Sequence, residues 1–326
     1  MLRAELAYVT VVVRDAEAAA AVFERDFGLR RFDCTLGASG QQAPVLRVGG
    51  SALVLAEPGV PFVSEDARTG VHHIALAVDD LEAAAATLQA SGIRTAAMSP
   101  HEGLNGRPRL GLAPEDTAGV RVYCVEPLPL DAAAGNETGA ASMSESPRCV
   151  VERLDHLGVA SADNAAAIEA FAERFGFPIE SMQTDAEVRI AVESFTSDKY
   201  GVVYHNREPE PVGGLRVAFI TIGDCELEFL QDFDPRPEAV VLHGQAGNTR
   251  QDRGAIARFV SSRGPGLHHL AFKVPDAKAG LAALQQAGHR LIDTVGRPGS
   301  RRAQIGFVHP QSLEGLLVHL VQRDEL

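Results

Sequence analysis

The stretch GLHHLAFKVPDAKAGLAALQQAGH, residues 266–289, decides the fold because two kinds of periodicity follow one another in it. Its first part is a short apolar run with two histidines, which is typical of a β-strand. Asp276 then stands where a helix N-cap is expected, and the alanine-rich segment after it has the spacing of an amphipathic helix that ends near Gly288. The stretch therefore predicts a strand that leads directly into a helix.

This strand-to-helix pattern occurs three more times, and alternating apolar strands follow each helix. The three further copies are VTVVVRDAEAAAAVFERDFGL (9–29), HHIALAVDDLEAAAATLQASGI (72–93) and DHLGVASADNAAAIEAFAERFGF (155–177). Helix N-caps are expected at Asp15, at Asp79 or Asp80, and at Asp163. The chain is thus predicted to be an α+β protein built from four βαβββ modules, at about residues 5–58, 70–127, 152–232 and 266–323.

A small, polar segment from Pro127 to Pro147 separates the second module from the third. It is rich in Pro, Gly and Ser and has no apolar periodicity, which is typical of a linker. The sequence therefore predicts an N-terminal domain over residues 1–127, a linker over 128–150 and a C-terminal domain over 151–326.

Composition narrows the class of function. The chain has 326 residues, is 45% hydrophobic and carries a formal net charge of −13. The negative charge argues against a nucleic-acid groove or an anionic membrane surface as partner. Four cysteines without a CxxC pair indicate neither a zinc knuckle nor a disulfide framework, and no stretch reaches membrane-spanning length. We expect a cytoplasmic protein with a small-molecule substrate, and a homodimer is left open.

The repeats align with one another and thereby expose equivalent positions. Tyr8, Val54, His73 and Tyr123 of the first two modules pair in order with His156, Glu228, His269 and His319 of the last two. The spacing between paired residues grows within the third module, which places one insertion at about residues 180–214 and another at about 233–262. Insertions of this length beside a site are often lids or substrate loops.

The repeated unit, with a histidine near the start of a module, resembles the vicinal-oxygen-chelate (glyoxalase/bleomycin-resistance/extradiol dioxygenase) superfamily. The likeness is sharpest in LRVAFITIGDCELEFLQ (215–231), AIARFVSSRGPGLHHLAFKVPD (255–276) and AQIGFVHPQSLEGLLVHLVQ (303–322), which resemble methylmalonyl-CoA epimerase. A tandem layout with one silent half resembles 4-hydroxyphenylpyruvate dioxygenase. The resemblance implies tandem vicinal-oxygen-chelate domains, in which each pair of modules forms a half-open barrel around one metal ion.

The same resemblance implies a ligand set. One metal ligand comes from the first strand and one from the last strand of each module, which gives His156, Glu228, His269 and His319. The family usually has a glutamate where this chain has His319, so the last position departs from the pattern.

The chemistry of these four residues supports a metal site independently of the family. His156 shares its strand face with Gly158 and Ala160, so small neighbours leave room for an ion. Glu228 interrupts an apolar strand, where a carboxylate is costly unless it is paired or metal-bound. Three imidazoles and one carboxylate suit one divalent ion per chain: Fe, Co, Mn, Ni or Zn. The neighbouring His268 is expected to have a structural or supporting role, and Glu226 to be solvated.

The N-terminal half serves as an internal control. Val54 cannot bind a metal, and one histidine with two tyrosines makes a poor divalent site, so this half is expected to lack a metal.

Three functions remain open from the sequence. The first is a metal-dependent isomerase, epimerase or lyase that stabilises an enolate of a 2-oxo acid or acyl thioester, with Glu193 or Glu210 as candidate catalytic bases. The second is a non-haem Fe(II) dioxygenase resembling 4-hydroxyphenylpyruvate dioxygenase, although four protein ligands would leave only two positions on an octahedral ion. The third is a non-catalytic binding or resistance protein, against which the retained ligand set argues.

Overall fold

The computed structural model describes residues 2–128, 148–190, 192–199, 201–206, 209–234 and 249–324. Most of the predicted linker, residues 129–147, lies outside these ranges, as do residues 235–248 of the second predicted insertion. Within the described ranges, no helix is long and apolar enough to cross a membrane.

The N-terminal half forms one seven-stranded sheet with two helices. Its elements are β1 (Glu5–Val12), α1 (Ala16–Phe27), β2 (Arg30–Leu36), β3 (Gln41–Val48), β4 (Ser51–Ala56), β5 (Gly70–Ala77), α2 (Leu81–Ala90), β6 (Arg109–Gly111) and β7 (Val122–Val125). The strand order is β2-β3-β4-β1-β5-β7-β6, so the two modules meet at the antiparallel pair of their first strands, β1 and β5.

The C-terminal half repeats this plan in an eight-stranded sheet of order β15-β16-β17-β14-β8-β13-β12-β9, with a separate β10-β11 hairpin. Its elements are β8 (Arg153–Ser161), α3 (Asn164–Ile168) with a π-helical continuation (Glu169–Arg174), β9 (Ile179–Arg189), β10 (Val192–Ser197), β11 (Gly201–Asn206), β12 (Glu210–Ile222), β13 (Cys225–Phe233), α4 (Thr249–Arg263), β14 (Gly266–Lys273), α5 (Ala277–Gln286), β15 (Arg297–Pro298), β16 (Gln304–Val308) and β17 (Val318–Gln322). The predicted α+β fold of paired modules is therefore confirmed.

The aspartate that precedes a helix sets the start of that helix in every module. The side chains of Asp15, Asp80, Asp163 and Asp276 each accept a hydrogen bond from a backbone N–H of the first turn. Each carboxylate accepts a hydrogen bond from an N–H that has no partner within the helix. The positive end of the helix dipole also stabilises the negative charge of the carboxylate. In each module, the cap therefore fixes the point at which the first strand ends and the helix begins.

Strand register confirms the alignment of the repeats. His156 lies opposite Glu226 in the parallel pair of β8 with β13, as Tyr8 lies opposite Ala52 in the pair of β1 with β4. His319 lies opposite Ala271, as Tyr123 lies opposite Ala75. The correspondence read from the sequence therefore holds residue by residue across the sheets.

The two halves share a hydrophobic core. Phe23 and Phe27 of α1 lie against Phe272 of β14, with ring centroids 6.2 and 5.7 Å apart. Next to them, His289 Nε2 of the C-terminal half is 2.7 Å from Asp26 Oδ2 of the N-terminal half. Aromatic pairs of this kind contribute about 0.5–1.5 kcal/mol each beyond the area that they bury. The halves therefore pack closely, and the domain boundaries stay a prediction.

Both insertions border the cavity of the C-terminal sheet. The first lengthens β9 and β12 and adds the β10-β11 hairpin, and it places Gln183 and Asp185 of β9 in the cavity wall. The second contributes α4, whose Ile256 packs against Phe219 and whose Asp252 faces the cavity. The prediction that at least one insertion borders this cavity is confirmed.

Candidate metal centre

The four residues of the predicted ligand set lie on four strands at the centre of the C-terminal sheet. His156 stands on β8, Glu228 on β13, His269 on β14 and His319 on β17, and β8 lies between β13 and β14. Their side chains line a cavity of about 350 Å³. Each is at most 6% exposed, so all four polar groups are held away from bulk water.

The distances among the three histidines suit a single ion, and Glu228 lies beside two of them. One ring nitrogen from each of the three histidines lies within 4.8 Å of the others. Glu228 Oε2 is 3.2 Å from His156 Nε2 and 3.8 Å from His269 Nε2. Three imidazoles and a carboxylate are ligands that borderline divalent ions accept together.

The hydrogen bonding of the histidines tests whether an ion fits. His269 Nε2 and both ring nitrogens of His319 are buried and have no hydrogen-bond partner among the described residues, and His156 Nε2 faces only Glu228 Oε2. A buried polar atom without a partner costs about 1–3 kcal/mol, so nitrogens of this kind on neighbouring rings favour a common ligand. A divalent ion would engage one nitrogen of each ring at once, and we conclude that the residues fit a metal.

Burial sets the charge state of two rings. It lowers the pKa of both His269 and His319 well below the usual value, with like charge from the neighbouring histidines adding to the effect. These rings are therefore neutral at pH 7, which is the form that binds a metal. At His156 burial acts in the same direction, but Glu228 and Asp155 outweigh it and raise the pKa to about 9.

Neighbouring side chains hold the imidazoles in place. Asp155 Oδ2 lies 2.9 Å from His156 Nδ1, and the same carboxylate is 3.1 Å from Arg323. The Phe307 ring stacks on His319 at 4.2 Å with an angle of 13° between the rings. A carboxylate on the remote nitrogen of a ligating histidine fixes its tautomer and orientation. His156 and His319 are therefore oriented before any ion binds.

His269 is held differently. A register shift in β14 between Leu267 and His269 brings His268 beside it, with the two Nδ1 atoms 3.0 Å apart, and His268 in turn contacts Phe259 of α4. The ring lies over Gly158 of β8, where a Cβ would stand 2.0 Å from His269 Cε1. The space beside Gly158 that was expected to hold an ion is therefore taken by the His269 ring, and the supporting role of His268 stays a prediction that its contact with His269 favours.

Charged groups surround the rest of the cavity. Arg297, Arg301 and Arg323 line it together with Asp252 and Asp185. Arg297 Nη2 is 3.1 Å from Asp252 Oδ1, and burial outweighs this contact and raises the pKa of Asp252 to about 6. Sequence reasoning missed Asp252 because its position depends on how the inserted α4 packs.

The two candidate bases named from the sequence belong to β12 and to the β10-β11 hairpin. Glu210 begins β12, is exposed and lies 3.5 Å from Arg189, and it is not part of the cavity wall. Glu193 lies on β10 of the separate hairpin, opposite His205.

The expectation that Glu226 is solvated is wrong. Residues two apart on a strand share a face, so Glu226 follows Glu228 to the inner side. It is 9% exposed and pairs with Arg301 and Arg323 beside the cavity. Glu226 therefore balances two of the cavity arginines.

The equivalent place in the N-terminal half is filled by aromatic rings. His73 lies between Tyr8 and Tyr123, with ring centroids 6.2 and 4.8 Å away, and the Arg109 guanidinium lies 4.4 Å above the Tyr123 ring. Val54 is fully buried. Among the described residues, the three C-terminal histidines are the one group of His, Cys, Asp or Glu whose ligand atoms come together in this way.

Fold and geometry together define a tandem barrel protein with one candidate metal centre in its C-terminal half. The sequence profile of the Glyoxalase/Bleomycin resistance protein/Dioxygenase superfamily matches residues 8–109 and 155–307. The chain belongs to this superfamily.

Individual relatives match parts of this chain in sequence, and one solved structure matches its fold. An ethylmalonyl-CoA/methylmalonyl-CoA epimerase of Cereibacter sphaeroides is 30% identical over 53% of this chain and 99% of its own length. A mitochondrial methylmalonyl-CoA epimerase of Dictyostelium discoideum is 38% identical over 39% of this chain and 69% of its own length. A 4-hydroxymandelate synthase variant from Streptomyces coelicolor has the same fold over 99% of this chain and 94% of its own, with 18% identity and a TM-score of 0.61.

Proposed function

We propose that this chain is a divalent-metal-dependent enzyme that moves a proton on the carbon next to a carbonyl group, as an epimerase, isomerase or lyase. The substrate is a small 2-oxo acid or acyl thioester. The observation that carries the proposal is the buried set of His156, Glu228, His269 and His319, whose partnerless ring nitrogens face one cavity. The epimerase relatives, which share up to 38% of their residues with this chain over the matched segments, support this choice.

The four residues would hold one ion of Fe, Co, Mn, Ni or Zn. When bound, such an ion supplies a Lewis acid that polarises the substrate carbonyl and makes the neighbouring carbon more acidic. Asp155 and Phe307 keep the two rings that they contact in orientation.

Asp252 is the proton carrier in this proposal, in place of Glu193 and Glu210, because it lines the same cavity as the metal ligands. Its side chain is 34% exposed, so substrate can reach it. A carboxyl group whose pKa is about 6 accepts a proton at neutral pH and returns it readily. The abstracted proton exchanges with water, and a proton added to the opposite face of the enolate carbon completes an epimerisation with no net change in atoms.

The arginines position an anionic substrate. Arg297 lies between Asp252 and Asp293, with its guanidinium above the Phe307 ring. An Arg fork binds a carboxylate through two parallel hydrogen bonds. Apolar side chains from β12, β16 and α4 line the remaining wall and limit the water around the reacting carbon.

Solvent deuterium exchange tests the proposal. The metal-loaded protein is incubated in D₂O with 2-oxo acids and with acyl thioesters that carry a second carboxylate, and exchange at the α-carbon is followed by NMR. We expect exchange that needs the metal and does not consume oxygen. A metal-loaded protein that exchanges no member of either class would contradict the proposal.

The second candidate function is a dioxygenase. It is favoured by the likeness of fold to 4-hydroxymandelate synthase, which spans 99% of the chain, whereas the epimerases match about half of it or less. An oxygen electrode separates the two candidates, because substrate-dependent oxygen uptake with iron-loaded protein would favour the dioxygenase.

A further inference from the structure

A second cavity, of about 710 Å³, lies between the two halves of the chain. It is twice the volume of the cavity at the candidate metal centre. Its N-terminal wall comes from the segment before β5 and the loop before β7, and its C-terminal wall from the ends of β8 and α4. Ligand sites commonly form where two domains meet. We call this cavity the interface cleft.

Three arginines converge on the interface cleft: Arg68 and Arg121 from the N-terminal half and Arg263 from the C-terminal half. Within the described part of the chain, none of the three has a carboxylate at ion-pair distance, and Arg263 donates only to the Thr69 carbonyl oxygen at 3.2 Å. Elsewhere arginines such as Arg31 and Arg94 pair with one or more carboxylates. The interface cleft thus brings together three arginines without an ion-pair partner among the described residues, in a chain of net charge −13.

Arg68 and Arg263, on opposite walls of the cleft, act on one another, whereas His72 beside them is neutral at pH 7. Burial lowers the pKa of Arg263, and the charge of Arg68 lowers it further. Burial also lowers the pKa of His72, which lines the cleft, to about 4, and the charge of Arg121 adds to that effect. Like charges held together in this way are stabilised when an anion binds among them.

Three acidic side chains also line the cleft, and their contacts differ. Asp163 accepts a hydrogen bond from Ala165 as the cap of α3, and Glu115 lies 3.3 Å from Arg94. Asp66 is exposed at the rim, where contact with Ser64 and, less strongly, the charge of Arg121 lower its pKa. Two of the three carboxylates therefore have contacts outside the cleft, and Asp66 is the acidic group that acts on one of its arginines.

We propose that the interface cleft is a binding site for a phosphorylated small molecule. A phosphate group offers several oxygens to guanidinium groups, and three arginines on opposite walls suit a ligand with more than one negative charge. The cleft is larger than a single inorganic ion requires, so the ligand carries an organic part as well. This inference does not depend on the reaction at the metal centre.

Isothermal titration calorimetry with ADP and with inorganic phosphate tests the proposal, with malonate as the carboxylate comparison. We expect saturable ADP binding near one molecule per chain, weaker binding of phosphate, and still weaker binding of malonate. Arg121→Gln and Arg263→Gln should each lower the ADP affinity at least about tenfold, since a hydrogen bond to a charged group contributes about 1.5–3 kcal/mol.

Two control variants assign the binding to the cleft. Arg3→Gln removes an exposed arginine outside the cleft and should leave the ADP affinity unchanged. His269→Ala disrupts the candidate metal centre and should also leave it unchanged. The proposal is overturned if ADP shows no saturable binding, if malonate binds as tightly as ADP, or if His269→Ala abolishes binding while Arg121→Gln does not.

Discussion

At the scale of single residues, the candidate centre depends on small contacts as much as on ligands. Gly158 has no side chain, and the His269 ring occupies the space that a Cβ would take. Three of the four predicted ligands also have a neighbour that fixes or limits their orientation, namely Asp155, His268 and Phe307. The geometry of the site is therefore sensitive to changes that remove no ligand.

Replacement of Gly158 by alanine tests this sensitivity. The added methyl group would meet the His269 ring at 2.0 Å, so the ring must move away from the other ligands. We expect the affinity for Zn²⁺ or Co²⁺ to fall about 10- to 100-fold, the usual effect of disturbing the support of a ligand. Competition with a chromophoric chelator measures the affinity. Ala160→Gly, on the same strand face, is the control and should bind as the parent does.

His319 is the residue at which this chain departs from its family. His319→Ala should lower the metal affinity as strongly as His156→Ala does, because each removes one ligand. His319→Glu should retain the ion, since a carboxylate on β17 can also reach it. The same competition assay applies. If His319→Ala binds metal as tightly as the parent, His319 is not a ligand, and the triad His156, Glu228 and His269 would favour the dioxygenase.

Asp252 gives the proposed reaction its pH dependence. Burial raises its pKa to about 6, and the ionised form is the base, so the rate of proton exchange should fall as the pH decreases through about 6. Asp252→Asn should lower the exchange rate by about 10²- to 10⁴-fold at neutral pH. Asp185→Asn changes another carboxylate of the same cavity and is the matched control. Equal rates in Asp252→Asn and the parent would remove Asp252 from the mechanism.

At the scale of elements, α4 is the part of the second insertion that shapes the cavity. It packs against β13, β8 and β12, and its Arg253 is 1% exposed. The Arg253 guanidinium lies 3.1 Å from Asp234 and 3.6 Å from Asp232, at the end of β13. This buried cation ties the helix that carries Asp252 to the sheet that carries Glu228.

Replacement of Arg253 by methionine should loosen α4. It would leave three carboxylates, those of Asp232, Asp234 and Glu187, without their cation, and breaking a buried ion pair costs about 3–5 kcal/mol. We expect the free energy of unfolding, from urea titration followed by circular dichroism, to fall by an amount of that order. Lys278→Met, an exposed cation on α5, should change it little. A parent-like stability for Arg253→Met would show that α4 is held by its apolar contacts alone.

Sequence periodicity correctly predicted the elements whose pattern depends only on residues close by in the chain. Strand alternation and aspartate caps depend on neighbours in the chain, so the four modules and the positions of His156 and Glu228 followed from them. The β10-β11 hairpin and the approach of Asp252 to the cavity did not, because they depend on where inserted segments pack. The prediction that Glu226 is solvated failed for a different reason. The two-residue period of a strand already places Glu226 and Glu228 on the same face, so the correct face could have been predicted.

At the scale of the whole molecule, duplication has produced two halves with different interiors. The shared core around Phe272 joins them, and the register of β1 with β5 matches that of β8 with β14. One half has filled its centre with Tyr8, Tyr123 and Arg109, and the other has kept polar side chains without partners. The N-terminal half therefore supplies packing and one wall of the interface cleft.

The central claim is that the chain binds one divalent ion, in its C-terminal half. The most direct test is the metal content of the full-length protein by mass spectrometry after loading with Co²⁺ and gel filtration, for the parent, His73→Ala and His269→Ala. These two histidines occupy equivalent repeat positions and are both buried, so each variant controls for the other. We predict about one ion per chain for the parent and for His73→Ala, and a loss of most of the bound ion for His269→Ala. Two ions per chain in the parent, or equal metal content in both variants, would contradict the account.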